Sequence, residues 1–265
     1  MISILKFELS RAFKSRSFLI PLGLFILYMI YNIIFEVIPT AQEAYMTIDT
    51  ITPTYLWLTV NETGILRTVF FFTPLLVVLP FSWSYALDTN LNYTCFLYAR
   101  AKKQHYLLAK FIATFLTGGI LFVLPLLLHY IILTCLFPNW PVHYGTFQIV
   151  NGSLMIDLIY SNPILYVLFY CLINFLYAGF LAVIGLSAGL FTSKKYIVCL
   201  VPFFIWIIIS AICEFSGLNN WSPERFLRPS GEKNASLFFI ISFWISMMYI
   251  PLTLFLKMGK KHELN

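Results

Sequence analysis

Long apolar runs separated by polar segments dominate the pattern of this chain. Six runs contain no Asp, Glu, Lys or Arg, and their apolar residues follow one another without strict alternation. About 20 apolar residues cross the hydrocarbon core of a bilayer as a helix, whereas a barrel strand needs only about 10 and alternates apolar with polar. The pattern therefore predicts six transmembrane helices, over residues 18–35, 69–87, 111–137, 164–191, 196–213 and 237–256.

Composition agrees with a membrane protein. The 265 residues are 60% hydrophobic and only 11% charged, against about 25% charged residues in an ordinary soluble domain. So few charges exclude a water-soluble globule and a disordered chain. Without an internal repeat or a low-complexity tract, residues 1–265 are expected to form one transmembrane domain, an all-α polytopic membrane protein.

The placement of charge predicts orientation. With the N-terminus inside, the cytoplasmic segments hold 13 of the 17 Lys and Arg residues but only 3 of the 11 Asp and Glu residues. Lys and Arg accumulate in cytoplasmic loops of membrane proteins. Six spans then place both termini in the cytoplasm, and the net charge of +6 becomes a signal of topology that requires no nucleic acid partner.

Residues 1–17 precede the first span and predict an amphipathic helix. One helical arc carries the apolar side chains of Ile2, Leu5, Leu9, Ala12 and Phe13. A helix of this kind lies at the inner membrane interface with its basic residues near anionic lipid. Ordinary positive flanking of a first span is the alternative interpretation.

The cytoplasmic loop over residues 88–104 contains the most informative pattern. Asp88 is suited to cap a following helix, and residues 90–98 mix apolar and polar side chains as a short amphipathic helix does. An apolar surface facing the cytoplasm is costly unless it docks into a partner. A soluble subunit with a hydrophobic groove is one explanation, and a plain positively charged anchor is the other.

This arrangement resembles the permease subunits of ABC transporters of the ABC-2 exporter type. Those chains combine an N-terminal amphipathic helix, six spans and a short helix between spans two and three. Asp88 matches the acidic start of their loop, Phe96 and Leu97 match its hydrophobic pair, Lys103 its basic turn residue, and residues 106–110 the entry into the next helix. The chain departs from the family at residues 90–92, where Gly-Thr is typical, and no Pro precedes Lys103.

The resemblance implies that this loop is a coupling helix seated in a cleft of a separate ABC ATPase. Two copies of that ATPase, with their ATP and Mg, would serve two permease chains, identical or homologous. The residues implied to contact the ATPase are Asp88, Asn90, Leu91, Phe96, Leu97, Arg100, Lys102 and Lys103. A G-x-x-x-x-G-K-[ST] phosphate loop does not occur in the sequence, so we expect no bound cofactor and no enzymatic activity in this chain itself.

Candidate substrate contacts lie within the predicted spans. His129 is the one His, Asp, Glu, Lys or Arg inside them, and such residues are functional candidates in membranes. It would contribute either a polar patch for substrate or an interhelical hydrogen bond. A kinked aromatic path is suggested by Phe70, Phe71, Phe72 and Pro74, although phenylalanines facing lipid are equally normal. Gly185 and Gly189 form a GxxxG step that favours close helix packing over ligand contact.

Patterns typical of catalytic or metal sites are missing from the sequence. His262-Glu263 lacks a second His, and the five Cys residues are scattered singly, so no metal ligand set is predicted. We expect a multi-pass protein of the bacterial plasma membrane that exports an apolar or amphipathic substrate, such as a peptide antibiotic or toxin, a lipid or a drug. The alternatives are a membrane scaffold or sensor that recruits a cytoplasmic partner, and an immunity protein against an antimicrobial peptide.

Overall fold

The computed structural model describes residues 2–43, 52–58, 65–94, 102–139, 154–218, 227 and 237–261, and all regular secondary structure in these ranges is helical. The helices, in chain order, are α1 Ile2–Phe13, α2 Arg16–Asn32, α3 Ile38–Glu43, α4 Pro53–Leu58, α5 Ile65–Leu76, α6 Ser84–Asn90, α7 Lys103–Leu136, α8 Ile156–Ser161, α9 Pro163–Ala188, α10 Lys195–Phe215 and α11 Leu237–Lys261. A π-helical turn, Ile33–Val37, joins α2 to α3. The all-α class predicted from the apolar runs is confirmed for the described ranges.

Five helical segments in this part of the chain are long and apolar enough to cross a membrane: Arg16–Val37, Lys103–Leu136, Pro163–Ala188, Lys195–Phe215 and Ile240–Gly259. They correspond to the first, third, fourth, fifth and sixth predicted spans. Each begins and ends within three residues of its predicted bounds, except that the third begins eight residues earlier, at Lys103. A helix is the expected outcome, because a long apolar segment in lipid must satisfy its backbone hydrogen bonds internally.

The second predicted span, residues 69–87, is not one helix. α5 ends at Leu76, residues 77–83 form a turn, and α6 begins at Ser84. Pro80 explains the break, because a proline lacks an N–H group and its ring clashes with the carbonyl four residues earlier, here that of Leu76. The turn is buried, and its Ser82 hydroxyl donates a hydrogen bond to the Ala182 carbonyl at 2.7 Å.

Small residues bring α7 and α9 into close contact at the centre of the bundle. A Cβ placed on Gly118 would lie 2.5 Å from the Cβ of Ala182, and one on Gly179 would lie 2.6 Å from the ring of Phe115. Helices in membranes associate largely through such close van der Waals packing. The two helices therefore form the centre against which the other elements pack.

The N-terminal helix α1 docks on protein through its apolar face. Ala12 is buried together with Phe81 and Ala113, and Leu5 and Leu9 pack against them. Ser15 lies in the short link between α1 and α2. Its hydroxyl oxygen accepts a hydrogen bond from the Phe18 N–H at 3.1 Å and so caps α2. The predicted amphipathic helix is thus present over Ile2–Phe13, and its apolar face is turned toward the bundle.

Both described ends of the chain lie at the same end of the bundle. α1 contacts the start of α7, and Gly259 near the end of α11 lies beside Leu107 and Leu190. The assignment of this end to the cytoplasm remains a prediction from charge placement.

Candidate functional site

A cluster of ionisable side chains lies where α1, α6 and the start of α7 meet. We call Glu8, Arg11, Asp88, Tyr106 and Lys110 the ionic cluster. Glu8 and Arg11 are three residues apart on α1, and Tyr106 and Lys110 are four apart on α7, so each pair shares one helix face. Asp88 comes from α6, which the turn at residues 77–83 places against both helices.

Short contacts connect all five members of the ionic cluster. The Lys110 Nζ donates to Glu8 Oε2 at 2.9 Å and to Asp88 Oδ2 at 2.5 Å. The Arg11 guanidinium donates two parallel hydrogen bonds to Asp88, at 3.0 and 2.7 Å. The Tyr106 hydroxyl adds a third donor to Asp88 Oδ2 at 2.7 Å. Asp88 is therefore the centre of the network.

Burial makes this network unusual. The side chains of Glu8, Asp88 and Lys110 are at most 1% exposed, and that of Arg11 is 30% exposed. Two acidic and two basic groups balance one another, which offsets part of the large cost of removing charges from water. Glu8 Oε1 accepts no hydrogen bond from the part of the chain that the structure describes.

The shifts in the pKa values of Asp88 and Arg11 show which charge states the network favours. Burial raises the pKa of Asp88, but the hydrogen bonds and positive charges of Arg11 and Lys110 outweigh it, so this pKa lies below its usual value. Burial lowers the pKa of Arg11, yet the hydrogen bond and charge of Asp88 raise it above its usual value overall. Both groups are therefore held in their charged forms.

Aromatic rings line the basic side chains. The Lys110 Nζ lies 4.7 Å from the centroid of Phe81 and 5.4 Å from that of Tyr106. The Arg11 guanidinium carbon lies 5.9 Å from the ring centroid of Tyr93, just after α6. Cations within about 6 Å of a ring face gain further stabilisation. The ionic cluster thus joins the N-terminal helix to both ends of the 88–104 loop.

The prediction that Asp88 caps a following helix is wrong. Asp88 instead lies within α6, where its carboxylate accepts from Arg11, Tyr106 and Lys110. Charge-assisted hydrogen bonds to a guanidinium and an ammonium group are stronger than those to neutral backbone donors. Two such cationic donors, together with the Tyr106 hydroxyl, outcompete a local cap.

The predicted helix over residues 90–98 is wrong at its start. Asn90 is the last residue of α6, Leu91 and Asn92 form a turn with Asn92 at φ 53°, and the helical conformation resumes at Tyr93. Asn tolerates this left-handed conformation better than most residues. Leu91 is exposed, and the Asn90 amide donates to the Ser193 carbonyl at 3.3 Å.

The remaining loop residues are only partly covered by the structure. Lys102 precedes α7 and Lys103 begins it. Phe96, Leu97 and Arg100 lie outside the described residues. The contact of these residues with an ATPase stays a prediction.

The predicted aromatic path divides into two environments. Phe70 is buried in the core with its ring 5.4 Å from that of Phe122. Phe71 and Phe72 are partly exposed and face α10, where Phe71 lies 5.3 Å from Trp206. Pro74 is buried within α5. Phe71 and Phe72 thus belong to an aromatic contact between α5 and α10, distinct from the core position of Phe70.

His129 is buried on α7, and neither of its ring nitrogens has a hydrogen-bond partner among the described residues. An interhelical hydrogen bond, one of the two predicted roles, is therefore not seen in these ranges. Nearby on the same helix, the Trp57 indole of α4 donates to the Leu126 carbonyl at 3.0 Å.

The GxxxG step contacts the broken second segment. A Cβ on Gly185 would lie 2.6 Å from Val78 Cγ1, and one on Gly189 would lie 3.6 Å from the Cβ of Ala86. The two glycines thus face the buried turn and α6, the elements that carry Asp88 into the ionic cluster.

Sequence reasoning missed the ionic cluster as a unit. Glu8, Arg11, Tyr106 and Lys110 were absent from the predicted site. Two features of the sequence could have indicated a buried ion pair. Glu8 is an acid beside the apolar arc of α1, one turn from Ala12, and Lys110 is a base at the start of an apolar run. Among the described residues, no group of three or more His, Cys, Asp or Glu side chains is placed to hold a metal ion.

Comparison of the chain with protein-family models, with curated proteins and with solved structures gives no match.

Proposed function

We propose that this protein is the membrane subunit of an ATP-driven exporter and that the 88–104 loop transmits motion from a separate ATPase. The observation that carries the proposal is the ionic cluster. Asp88 opens the loop, Tyr106 and Lys110 follow it, and both ends are bound to one another and to α1 by buried, charge-assisted hydrogen bonds. A force applied to the loop would therefore move α1, α6 and α7 together.

Rigidity at the base of the loop matters for this role. Buried pairs of opposite charge break only at a large cost, so the base would resist local deformation when the loop is pushed. α7 then connects the ionic cluster to the opposite end of the bundle, because it is a single helix of 34 residues, about 50 Å at 1.5 Å per residue. Coupling through such rigid elements needs no side chain to touch both ATPase and substrate.

The substrate we propose is apolar or amphipathic. The candidate spans contain few charged residues, and α5 and α10 meet through the rings of Phe71, Phe72, Phe203 and Trp206. Aromatic and aliphatic side chains bind apolar ligands through surface burial and give little stabilisation to a charged group. Peptide antibiotics or toxins, lipids and hydrophobic drugs fit this description.

The test is a substitution in the predicted apolar centre of the loop. The genes beside this one are first searched for an ATPase with a phosphate loop, whose absence would count against the proposal, and that ATPase is co-expressed with the wild-type chain or with Phe96→Asp. We expect wild type to co-purify with the ATPase and to support ATP-dependent efflux of a hydrophobic peptide from inverted vesicles or cells, and Phe96→Asp to lose both. The matched control is Phe215→Asp, the same substitution at a highly exposed residue at the far end of α10.

Unchanged association and unchanged ATP-dependent efflux in Phe96→Asp would refute the coupling role. Association without any ATP-dependent movement of peptide, lipid or drug would favour a scaffold or sensor. Protection of cells from one antimicrobial peptide without its efflux would favour an immunity protein.

A further inference from the structure

A groove with a volume of about 590 Å³ lies between α9, α10 and α11. Its wall on α10 is one stripe of residues four positions apart: Ile197, Val201, Ile205 and Ile209. The facing wall on α11 includes Phe243, Met247, Ile250 and Leu254. Its volume lies within the range of about 300–1,000 Å³ that is typical of small-molecule sites.

The dimensions of the groove fit an extended hydrocarbon chain. The stripe from Ile197 to Ile209 covers twelve helical steps, about 18 Å at 1.5 Å per residue. One leaflet of the hydrocarbon core is about 15 Å deep, half of the roughly 30 Å of the whole core. The groove therefore runs along the helices for the depth of one leaflet.

Positive charge is concentrated at one end of this groove. Lys194 immediately precedes α10 and comes two residues after the lining residue Thr192, so it belongs to this end of the groove. Lys257 follows the lining residue Leu254 by three residues on α11 and lies one turn beyond it on the same side of that helix. Both lysines are exposed, and neither forms an ion pair with a carboxylate of the described residues. The lining itself holds no charged residue, and the first charged residue along α10 beyond Ile209, at the opposite end, is the acid Glu214.

We propose that this groove binds one acyl chain of an anionic phospholipid, with the phosphate beside Lys194 and Lys257. The apolar walls match the chain, and the lysines match the headgroup in sign and in position at one end. An anionic headgroup gains stabilisation from each nearby lysine at a membrane surface. With the predicted orientation, the lipid comes from the cytoplasmic leaflet.

The same charges argue against a second copy of the chain as the occupant. Two copies related by a twofold axis along the membrane normal would meet through the same face. Lys194 and Lys257 of both copies would then converge, which like-charge repulsion disfavours. A phospholipid phosphate neutralises these lysines.

The test measures lipid binding by the full-length chain in detergent, without an ATPase. The probes are fluorescent phosphatidylglycerol and phosphatidylcholine with identical acyl chains, and retained lipid is counted by native mass spectrometry. Ile205→Trp fills the groove, and its matched control is Ile208→Trp on the exposed side of α10. Lys194→Gln and Lys257→Gln remove the charges, and their control is Lys14→Gln, an exposed lysine at the end of α1.

We expect saturable binding with phosphatidylglycerol preferred over phosphatidylcholine. Each lysine substitution should lower that preference by about fivefold, Ile205→Trp should weaken binding of both lipids, and the two controls should bind as wild type does. Equal affinity for the two lipids would overturn the headgroup assignment. Binding that is insensitive to Ile205→Trp, or a change of oligomeric state in that variant without loss of lipid, would overturn the groove assignment. Lipid binding requires neither ATP nor a partner subunit. A negative result in this experiment therefore leaves the exporter proposal unaffected, and failure of the exporter proposal leaves the lipid site unaffected.

Discussion

Replacing Lys110 by Met tests whether the ionic cluster holds α1, α6 and α7 together. Met preserves most of the length of the side chain but removes the ammonium that contacts Glu8 at 2.9 Å and Asp88 at 2.5 Å. The cluster then holds two buried carboxylates and one guanidinium. Removing one partner of a buried ion pair typically costs about 3–5 kcal/mol.

The geometry also predicts a specific rescue. Glu8→Gln in the Lys110→Met background removes the acid that has lost its hydrogen bond from Lys110 and leaves Asp88 with its two hydrogen bonds from Arg11. The remaining pair is electrically balanced. The double variant should therefore be less destabilised than the sum of the two single variants, with a coupling free energy of roughly 1–3 kcal/mol.

The assay is the apparent melting temperature of the purified chain in one detergent at one scan rate. We expect Lys110→Met to lower it by roughly 10 °C, since 1 kcal/mol corresponds to about 2–4 °C in a chain of this size. Lys14→Met, at an exposed lysine, is the control and should change it little. A drop no larger than that of the control, or strictly additive effects of Lys110→Met and Glu8→Gln, would refute the reasoning.

Three further predictions concern other parts of the structure. Because the pKa of Asp88 lies below its usual value, its contribution to stability is present above about pH 4 and is lost as the pH falls. The melting temperature should therefore fall more steeply between pH 7 and pH 3 in wild type than in Asp88→Asn. Gly118→Ala should destabilise by about 1–3 kcal/mol, because its new Cβ would lie 2.5 Å from Ala182 Cβ, whereas Gly23→Ala, with nothing within 4 Å, should be neutral or slightly stabilising by the same melting assay. His129→Leu should stabilise by about 1–3 kcal/mol, since neither ring nitrogen has a partner in the described residues; loss of efflux in a stable His129→Leu variant would instead indicate contact with the substrate.

Local sequence rules predicted the broken second segment incorrectly even though the signal was present. Pro80 stood inside an apolar run of sufficient length, and prolines are often tolerated in transmembrane helices as kinks. The turn at residues 77–83 is stable because α9 covers it: Gly185 leaves space for Val78, and the Ala182 carbonyl accepts from Ser82. These contacts join residues about a hundred positions apart, which hydrophobic periodicity does not register.

The same limit applies to the candidate site. The charge and apolar pattern of the 88–104 loop drew attention to Asp88, but the role assigned to it was a local cap. Its actual partners are residues 11, 106 and 110, and Glu8 contacts Lys110, which is 102 positions away in the chain. The sequence does not show which helix packs against an acidic residue. It therefore cannot show whether that residue is buried in an ion pair.

The sequence by itself determined that this protein is helical and apolar enough for a membrane, because a long uncharged apolar run can satisfy its backbone only within a helix when lipid surrounds it. It also determined the charge asymmetry on which the predicted orientation depends. Only the tertiary structure decided where the second predicted span breaks, which charges are buried and how the ionic cluster joins α1, α6 and α7 at one end of the bundle. Those features depend on the distances between side chains of different helices, and helix packing, which no local pattern specifies, sets these distances.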